Sequence, residues 1–271
     1  MISVVIPTIG SHTLEQFEEA ISSALAVSPE LISQVCIMDN SKNEEFQNKM
    51  KSYLERDMRV EYQHKKEQLN LAQNLNRGFE VANNDWLLFL CDDDGLFPEA
   101  FKGLNQFLDE KLAYITADFH VRDERGDHFV KRQDGVRGIL GNTPKLVSTI
   151  FNKKKFDSIG GWNNDYGYFL DLIAYLELNH QFETLYLSQS LGFHRQHAEN
   201  ASKRSYREIG YGKSVPVVIQ RGFELLETPE LQRDFLFHIC SYSFPHKSLK
   251  SRVANGVVRY IFRNNAWLRD S

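Results

Sequence analysis

The chain has 271 residues, 42% hydrophobic and 25% charged, proportions that exclude a disordered tail, a collagen and a disulfide-stapled miniprotein. Lys plus Arg number 32 against 36 Asp plus Glu, a net charge of −4, too mild for a general nucleic-acid binder. The length allows one large domain or one domain with an appendage.

Ile2 to Ile6 is a short β-branched run that reads as a strand buried on both faces and stopped by Pro7. Leu14, Phe17, Ala20, Ile21, Ala24 and Leu25 then recur at helical spacing, and Val35 to Met38 is a second apolar run ending at Asp39-Asn40-Ser41. The pattern continues with a helix over 44–55, a strand over 59–63, a helix over 71–82 and a strand over 86–91. Such alternation implies a mostly parallel sheet covered by helices. A helix over 99–108, a strand over 113–117 and a charged hairpin around Glu124-Arg125-Gly126-Asp127 follow. The turn at Gly160-Gly161-Trp162 precedes a helix over 169–178 and strands over 183–187 and 191–194. From Arg204 onward only helical periodicity is present, which places a boundary near residue 205.

Cys36, Cys91 and Cys240 are far apart and form no C-x-x-C pair, so neither a disulfide framework nor a zinc ribbon is expected and a reducing cytoplasm fits. The opening residues lack the features of a secretory leader, and no apolar run reaches 18 residues. Residues 247–271 set six cationic side chains against Asp270 alone, with Leu249, Val253, Val257, Ile261 and Phe262 at helical spacing. A basic amphipathic helix of this kind suits peripheral contact with the inner face of an anionic membrane through residues 247–269. It equally suits packing against the rest of the chain or a second subunit.

Three polar loops end strands: Pro7 to Gly10, Asp39 to Asn43 and Asp92 to Gly95. In an open parallel sheet the carboxyl ends of the strands form the ligand crevice, so these loops should converge. Two neighbouring carboxylates about 5 Å apart repel by on the order of 3 kcal/mol at an effective dielectric near 20, so Asp92-Asp93-Asp94 calls for a cation. Oxygen ligands with water and a substrate diphosphate suit Mg²⁺ or Mn²⁺. An acidic turn capping the next helix is the bland alternative. Asp39 can accept the N–H of a nucleobase, with Pro7 and Thr8 offering backbone groups to the same ring, or it can serve as part of an ordinary helix cap. Asn74, Asn76 and Arg77 sit on the next helix, where Arg77 faces phosphate or solvent. Asp171 lies in the first turn of a helix, which the helix dipole alone would favour, and His197 reads in isolation as a surface histidine.

The order of these motifs resembles the family 2 glycosyltransferases of the GT-A fold. The match is carried by Ser3-Val4-Val5-Ile6-Pro7-Thr8, by Asp39-Asn40-Ser41, and by Asn76-x-Gly78 before Asn84-Asp85-Trp86-Leu87-Leu88-Phe89-Leu90. The acidic cluster, similar to the DXD motif, comes next with Pro98 behind it. Gly160-Gly161-Trp162, Leu170-Asp171 and His194-Arg195-Gln196-His197 with Asn200-Ala201-Ser202 complete it, over residues 1 to about 203. Cys91, Asn70, Leu75 and Leu170 depart from the family's usual residues.

The resemblance implies an α/β GT-A (Rossmann-like) fold, a mostly parallel central sheet flanked by helices, with a catalytic domain over 1–205 and a C-terminal helical extension over 206–271. It implies an inverting, metal-dependent glycosyltransferase that moves a sugar from a nucleotide-sugar, expected to be a UDP-sugar, to a saccharide or lipid-linked saccharide acceptor. Thr8 and Asp39 would hold the nucleobase, with Pro7, Asn76 and Arg77 beside the donor. Asp92 and Asp93 would bind ribose and metal, with Asp94 a second metal candidate. His197 would lie near the diphosphate or the Mn²⁺ or Mg²⁺ ion, and Asp171 would be the general base. The alternatives are a non-catalytic nucleotide-sugar-binding module and a sugar nucleotidyltransferase. Against the latter, Pro7 to His12 contains one Gly and no Lys or Arg.

Overall fold

The computed structural model describes residues 1–10, 12–197 and 211–243. They form two compact units. The first comprises Met1–Arg132, Pro144–Asn164 and Gln181–His197 and contains the sheet; the second comprises Gln133–Thr143, Asp165–His180 and the helices beyond residue 210.

In the first unit β1 (Ile2–Thr8) is buried along its whole length between two parallel neighbours, β2 (Ile32–Asp39) and β4 (Trp86–Phe89). β3 (Val60–His64) extends the parallel set beyond β2. Val4 and Ile6 pack with Phe17, Ala20 and Ile21 of α1 (Leu14–Leu25) and with Phe46 and Met50 of α2 (Glu44–Leu54). Each such fully buried side chain contributes about 1.5–3 kcal/mol. α3 (Leu71–Val81) lies on the opposite face. There a Cβ on Gly78 would stand 2.1 Å from Val5 Cγ1, so glycine is what lets this helix approach the strand.

The stop expected at Pro7 does not occur. Val5 O accepts from Leu90 N on one side and Thr8 O accepts from Asn40 N on the other. Pro7 therefore faces the same way as Val5, toward the strip where β4 has already ended, and no ladder bond needs its missing N–H.

Beyond β4 the sheet becomes mixed, with order β3-β2-β1-β4-β8-β6-β9-β5 and β7 paired to β6. β8 (Thr149–Asn152) runs antiparallel to both β4 and β6 (Leu112–Asp123). β9 (Glu183–Arg195) is parallel to β6, and β5 (Gly95–Leu96) is antiparallel to β9. β6 and β7 (Gly126–Val130) form the charged hairpin expected around Glu124-Arg125.

Two expected elements are corrected here. The helix over 99–108 is instead a pair of 3-10 turns, Pro98–Phe101 and Leu104–Phe107, divided by Gly103 at φ +76°. A left-handed residue cannot continue a right-handed helix. The strands over 183–187 and 191–194 are one strand, β9, whose register against β6 shifts between Leu187 and Phe193. The polar Ser188-Gln189-Ser190 stretch is a bulge, not a break. β8 and α5 (Lys153–Ser158) carry no periodic signal of their own.

The second unit includes α4 (Gly135–Gly141), most of α6 (Leu170–Gln181), α7 (Tyr211–Leu225) and α8 (Pro229–Ser243). Buried Glu177 on α6 accepts from Arg221 Nε at 2.7 Å and from the Tyr166 hydroxyl at 3.2 Å, tying α6 to α7. Among the described residues no helix is long and apolar enough to cross a membrane. The basic segment 247–269 lies outside the described residues.

Candidate active site

The loops after β1, β2 and β4 meet because those three strands are adjacent and parallel. Thr8 Oγ1 donates to Asp92 Oδ2 at 2.5 Å, and the Asn40 N–H donates to Thr8 O at 2.9 Å. Gly10, at φ +68°, folds the β1 loop onto the β2 loop, where a Cβ would strike Ser41 Cβ at 2.6 Å. Its N–H donates to Thr8 Oγ1 at 3.0 Å. Together these contacts form a three-loop crevice. Beside it, Ile9, Gly10, Asn40, Lys42, Asn43 and Gln68 line an open cavity of about 460 Å³.

Asp39 closes the β2 side. It is fully buried, its Oδ1 accepting from Ser41 N at 2.6 Å and its Oδ2 from the Tyr62 hydroxyl at 2.7 Å. Burial, then the hydrogen bond to Asp39 and its charge, push the Tyr62 phenol well above its usual range. Asn40 fixes the neighbouring 65–69 segment through Lys65 O, Glu67 O and Leu69 N. Arg77 donates to Asn74 Oδ1 at 2.9 Å, and Asn74 in turn donates to Met38 O at 2.9 Å, so the base of α3 is pinned to the end of β2. Burial lowers the Arg77 guanidinium, and the Asp39 charge opposes that effect, which puts this cation in the field of the Asp39 corner. Ser41 Oγ is buried beside Gly10 with no hydrogen-bond partner among the described residues. A ligand hydroxyl or ring nitrogen in the crevice would satisfy it.

The β4 side is the acidic corner. Asp92, Asp93 and Asp94 are 6%, 4% and 2% exposed, so none is a solvated surface acid. Asp92 takes the Thr8 hydroxyl on one oxygen and His12 Nδ1, at 2.7 Å, on the other. Asp93 Oδ2 lies 2.9 Å from His197 Nε2 and 3.8 Å from His12 Nε2, and the two imidazoles stand edge to face with centroids 5.2 Å apart. Asp94 Oδ1 accepts from Arg195 N at 2.8 Å and lies 3.1 Å from His194 Nδ1, anchoring the end of β9. The Arg195 side chain donates to Asp93 O at 2.8 Å and pairs with Glu19 of α1, holding the whole turn in place. Burial, followed by the charge of Asp94, raises the Asp93 carboxyl above its ordinary value, while His12 and His197 oppose the rise. The hydrogen bond to Asp92 raises His12 in spite of its own burial. Neighbouring carboxylate charge contributes to both shifts, the mark of a surplus of negative charge in a confined space.

That surplus fits a divalent ion. Among the described residues two groups of side chains offer ligand atoms within 4.8 Å of one another: His12 with Asp93 and His197, and Cys91 with Asp93 and Asp94. The Cys91 thiol is pushed far up by burial and by the three carboxylates, and a thiol ligates as thiolate. The His12, Asp93 and His197 group is therefore the better donor set.

Of the residues singled out in the sequence, the structure brings Pro7, Thr8, Asp39, Asp92, Asp93, Asp94 and His197 around the crevice, with Arg77 behind Asp39. Both ends of the Asn76 amide engage Trp162, donating to its O at 2.8 Å and accepting from its N at 2.9 Å, so Asn76 ties α3 to the Gly160-Gly161-Trp162 turn. Asp171 belongs to the second unit, at the start of α6, where its Oδ1 accepts from Leu172 N at 2.8 Å. Sequence reasoning missed His12, Tyr62 and Glu19, and gave Arg195 no role beyond its place in the His194-to-His197 motif. The only hint of His12 was an imidazole in the loop after the first strand, 80 positions from its carboxylate.

Fold and site together define an α/β protein with an acidic crevice at the carboxyl ends of its parallel strands. The chain belongs to glycosyl transferase family 2, whose model matches residues 3–169. Its structure is similar to that of S. aureus TarS 1-349 in complex with UDP-GlcNAc, at 13% identity over 95% of this chain and 80% of that one, with a TM-score of 0.69. It is also similar to mannosyltransferase PcManGT from Pyrobaculum calidifontis in complex with GDP-Man and Mn²⁺, at 10% identity over 98% of this chain and 76% of that one, with a TM-score of 0.62. At such identities the likeness establishes the fold, that of the GT-A glycosyltransferases. No curated protein matches the chain in sequence.

Proposed function

We propose that the chain is an inverting, metal-dependent glycosyltransferase. It would move a sugar from a nucleotide-sugar, first among candidates a UDP-sugar, to a hydroxyl of a saccharide or lipid-linked saccharide in polysaccharide or glycoconjugate synthesis. The observation that carries this reading is the buried Asp93 carboxylate, set between two imidazoles and flanked by Asp92 and Asp94 at the mouth of the three-loop crevice. The donor class draws support from TarS 1-349 bound to UDP-GlcNAc and PcManGT bound to GDP-Man and Mn²⁺.

In this reading Thr8, Asp39 and the backbone around Pro7 receive the nucleobase, and Arg77 offsets the Asp39 charge from behind. Asp92, oriented by Thr8, accepts from the ribose. Asp93 and His197, with Asp94 completing the acidic set, hold Mn²⁺ or Mg²⁺. When bound, the ion supplies Lewis-acid stabilisation for the negative charge that grows on the departing diphosphate. Asp171 takes the proton of the attacking acceptor hydroxyl, a role worth roughly 10²- to 10⁴-fold in rate. Direct displacement by that hydroxyl inverts the anomeric centre.

A thermal-shift screen of UDP-, GDP-, dTDP- and CMP-sugars, with and without Mn²⁺, tests the donor site. A ligand that binds only the folded chain stabilises it by about 2.7 kcal/mol at a concentration 100 times its Kd. A metal-dependent upward shift with one base and not the others is the expected result. Absence of any metal-dependent shift across the four donors overturns the assignment.

A further inference from the structure

We propose that His12 joins Asp93 and His197 as a protein ligand to the divalent ion, so that this corner offers the ion two imidazoles and favours later transition ions such as Co²⁺ and Zn²⁺ over Mg²⁺. The inference rests on the metal-dependent reading above and adds to it a residue and a selectivity. His12 Nε2 and His197 Nε2 approach the same oxygen, Asp93 Oδ2, at 3.8 Å and 2.9 Å, and the three residues' ligand atoms lie within 4.8 Å of one another. A tetrahedral ion with bonds of about 2.1 Å spaces its ligand atoms about 3.4 Å apart, between those two distances.

The surroundings of His12 are those of an oriented ligand. Its Nδ1 lies 2.7 Å from Asp92 Oδ1, the carboxylate–histidine arrangement that fixes an imidazole tautomer and directs the other nitrogen at a metal. Asp92 is itself held by Thr8. The loop is fixed on both sides of His12, by Gly10 folded against Ser41 and by Thr13, which caps α1 in a reciprocal pair with Gln16. His12 and His197 are only 17% and 22% exposed at their side chains, so neither swings freely in solvent. Two imidazoles change what the site prefers. Mg²⁺ takes oxygen ligands and retains its waters, whereas imidazole nitrogen suits the later first-row ions.

The test measures binding directly on the full chain. Titration calorimetry with Mn²⁺, Co²⁺, Zn²⁺ and Mg²⁺ is run on wild type and on His12→Asn, whose amide can keep the hydrogen bond to Asp92 and has no second nitrogen to offer. Wild type should prefer Co²⁺ and Zn²⁺ to Mg²⁺, and His12→Asn should lose at least tenfold in Co²⁺ and Zn²⁺ affinity with a much smaller change for Mg²⁺. Equal affinities in the two proteins would show that His12 only props Asp92, overturning this inference and leaving the metal-dependent reading intact. A wild-type chain that binds none of the four ions, with or without UDP, overturns both. Pulsed electron paramagnetic resonance of Mn²⁺ on wild type needs no variant to fold: coupling to two imidazoles is expected, and coupling to one alone sinks the proposal.

Discussion

β2 and β4 flank the same strand and each ends in a buried carboxylate, yet the two corners are built from different donors. Asp39 is met by neutral groups, a backbone N–H and a phenol. Asp92, Asp93 and Asp94 are met by three imidazoles, a hydroxyl and the backbone of an arginine that is itself anchored to Glu19. Two short hydrogen bonds fix the aim of the Asp39 carboxylate, which suits it to accept a ligand N–H. At the other corner burial, then the charge of Asp94, raises the Asp93 carboxyl, and three adjacent carboxylates in that space call for cationic partners. Within one crevice the first corner is suited to reading shape and the second to holding charge.

The largest effect that would sharpen this contrast comes from Asp93→Asn. The amide keeps the size of the side chain and removes the charge, so the fold should persist, while metal affinity disappears and sugar transfer falls by about a thousandfold, the scale at which lost electrostatic stabilisation of a transition state is felt. Metal titration and a nucleotide-release assay on the same preparation check both halves. A variant that binds Mn²⁺ as wild type does would show that the acidic corner is not the charge-holding one.

How much of this was legible in the sequence follows the same division. β1, β2 and β4 could be read because a strand buried on both faces is a bare apolar run, and β2 and β4 lead into acids that announce the crevice. The second half of the sheet could not. β8 is the four-residue Thr149-Ile150-Phe151-Asn152, too short to show a period, and its place between β4 and β6 is a tertiary choice. Gly103 sits inside an apolar pattern and is left-handed, which no spacing reveals. At the site, Asp92 to Asp94 were visible as a run, whereas His12 was not, because its meaning depends on the β1 loop being folded onto the β2 loop by Gly10. Asn76, placed beside the donor by resemblance, has its amide engaged by the Trp162 backbone, a contact no motif announces. Ordered motifs locate a crevice well, and they say less about which polar atoms in it are already satisfied.

Smaller effects belong to the Asp39 corner. Asp39→Asn replaces an acceptor-only group with one that also donates, and should weaken nucleotide binding by about tenfold, a hydrogen bond to a charged group being worth roughly 1.5–3 kcal/mol. Metal affinity measured without nucleotide should stay at the wild-type value, and a parallel loss of both would merge the two corners into one.

The least disruptive probe is Tyr62→Phe, which leaves Asp39 in place and takes away only the hydroxyl 2.7 Å from its Oδ2. Ser41 N still holds the other oxygen, so the carboxylate keeps one anchor and gains freedom about it. A net hydrogen bond contributes about 0.5–1.5 kcal/mol, and a loss of 1.4 kcal/mol is tenfold in affinity, so nucleotide binding should weaken by about two- to tenfold with no change in metal affinity. The chain should also unfold at slightly lower denaturant concentration with the same slope, since the surface exposed on unfolding is unchanged. If instead nucleotide affinity rises, the Tyr62 hydroxyl competes with the ligand for Asp39, and the corner is satisfied internally until a donor displaces it.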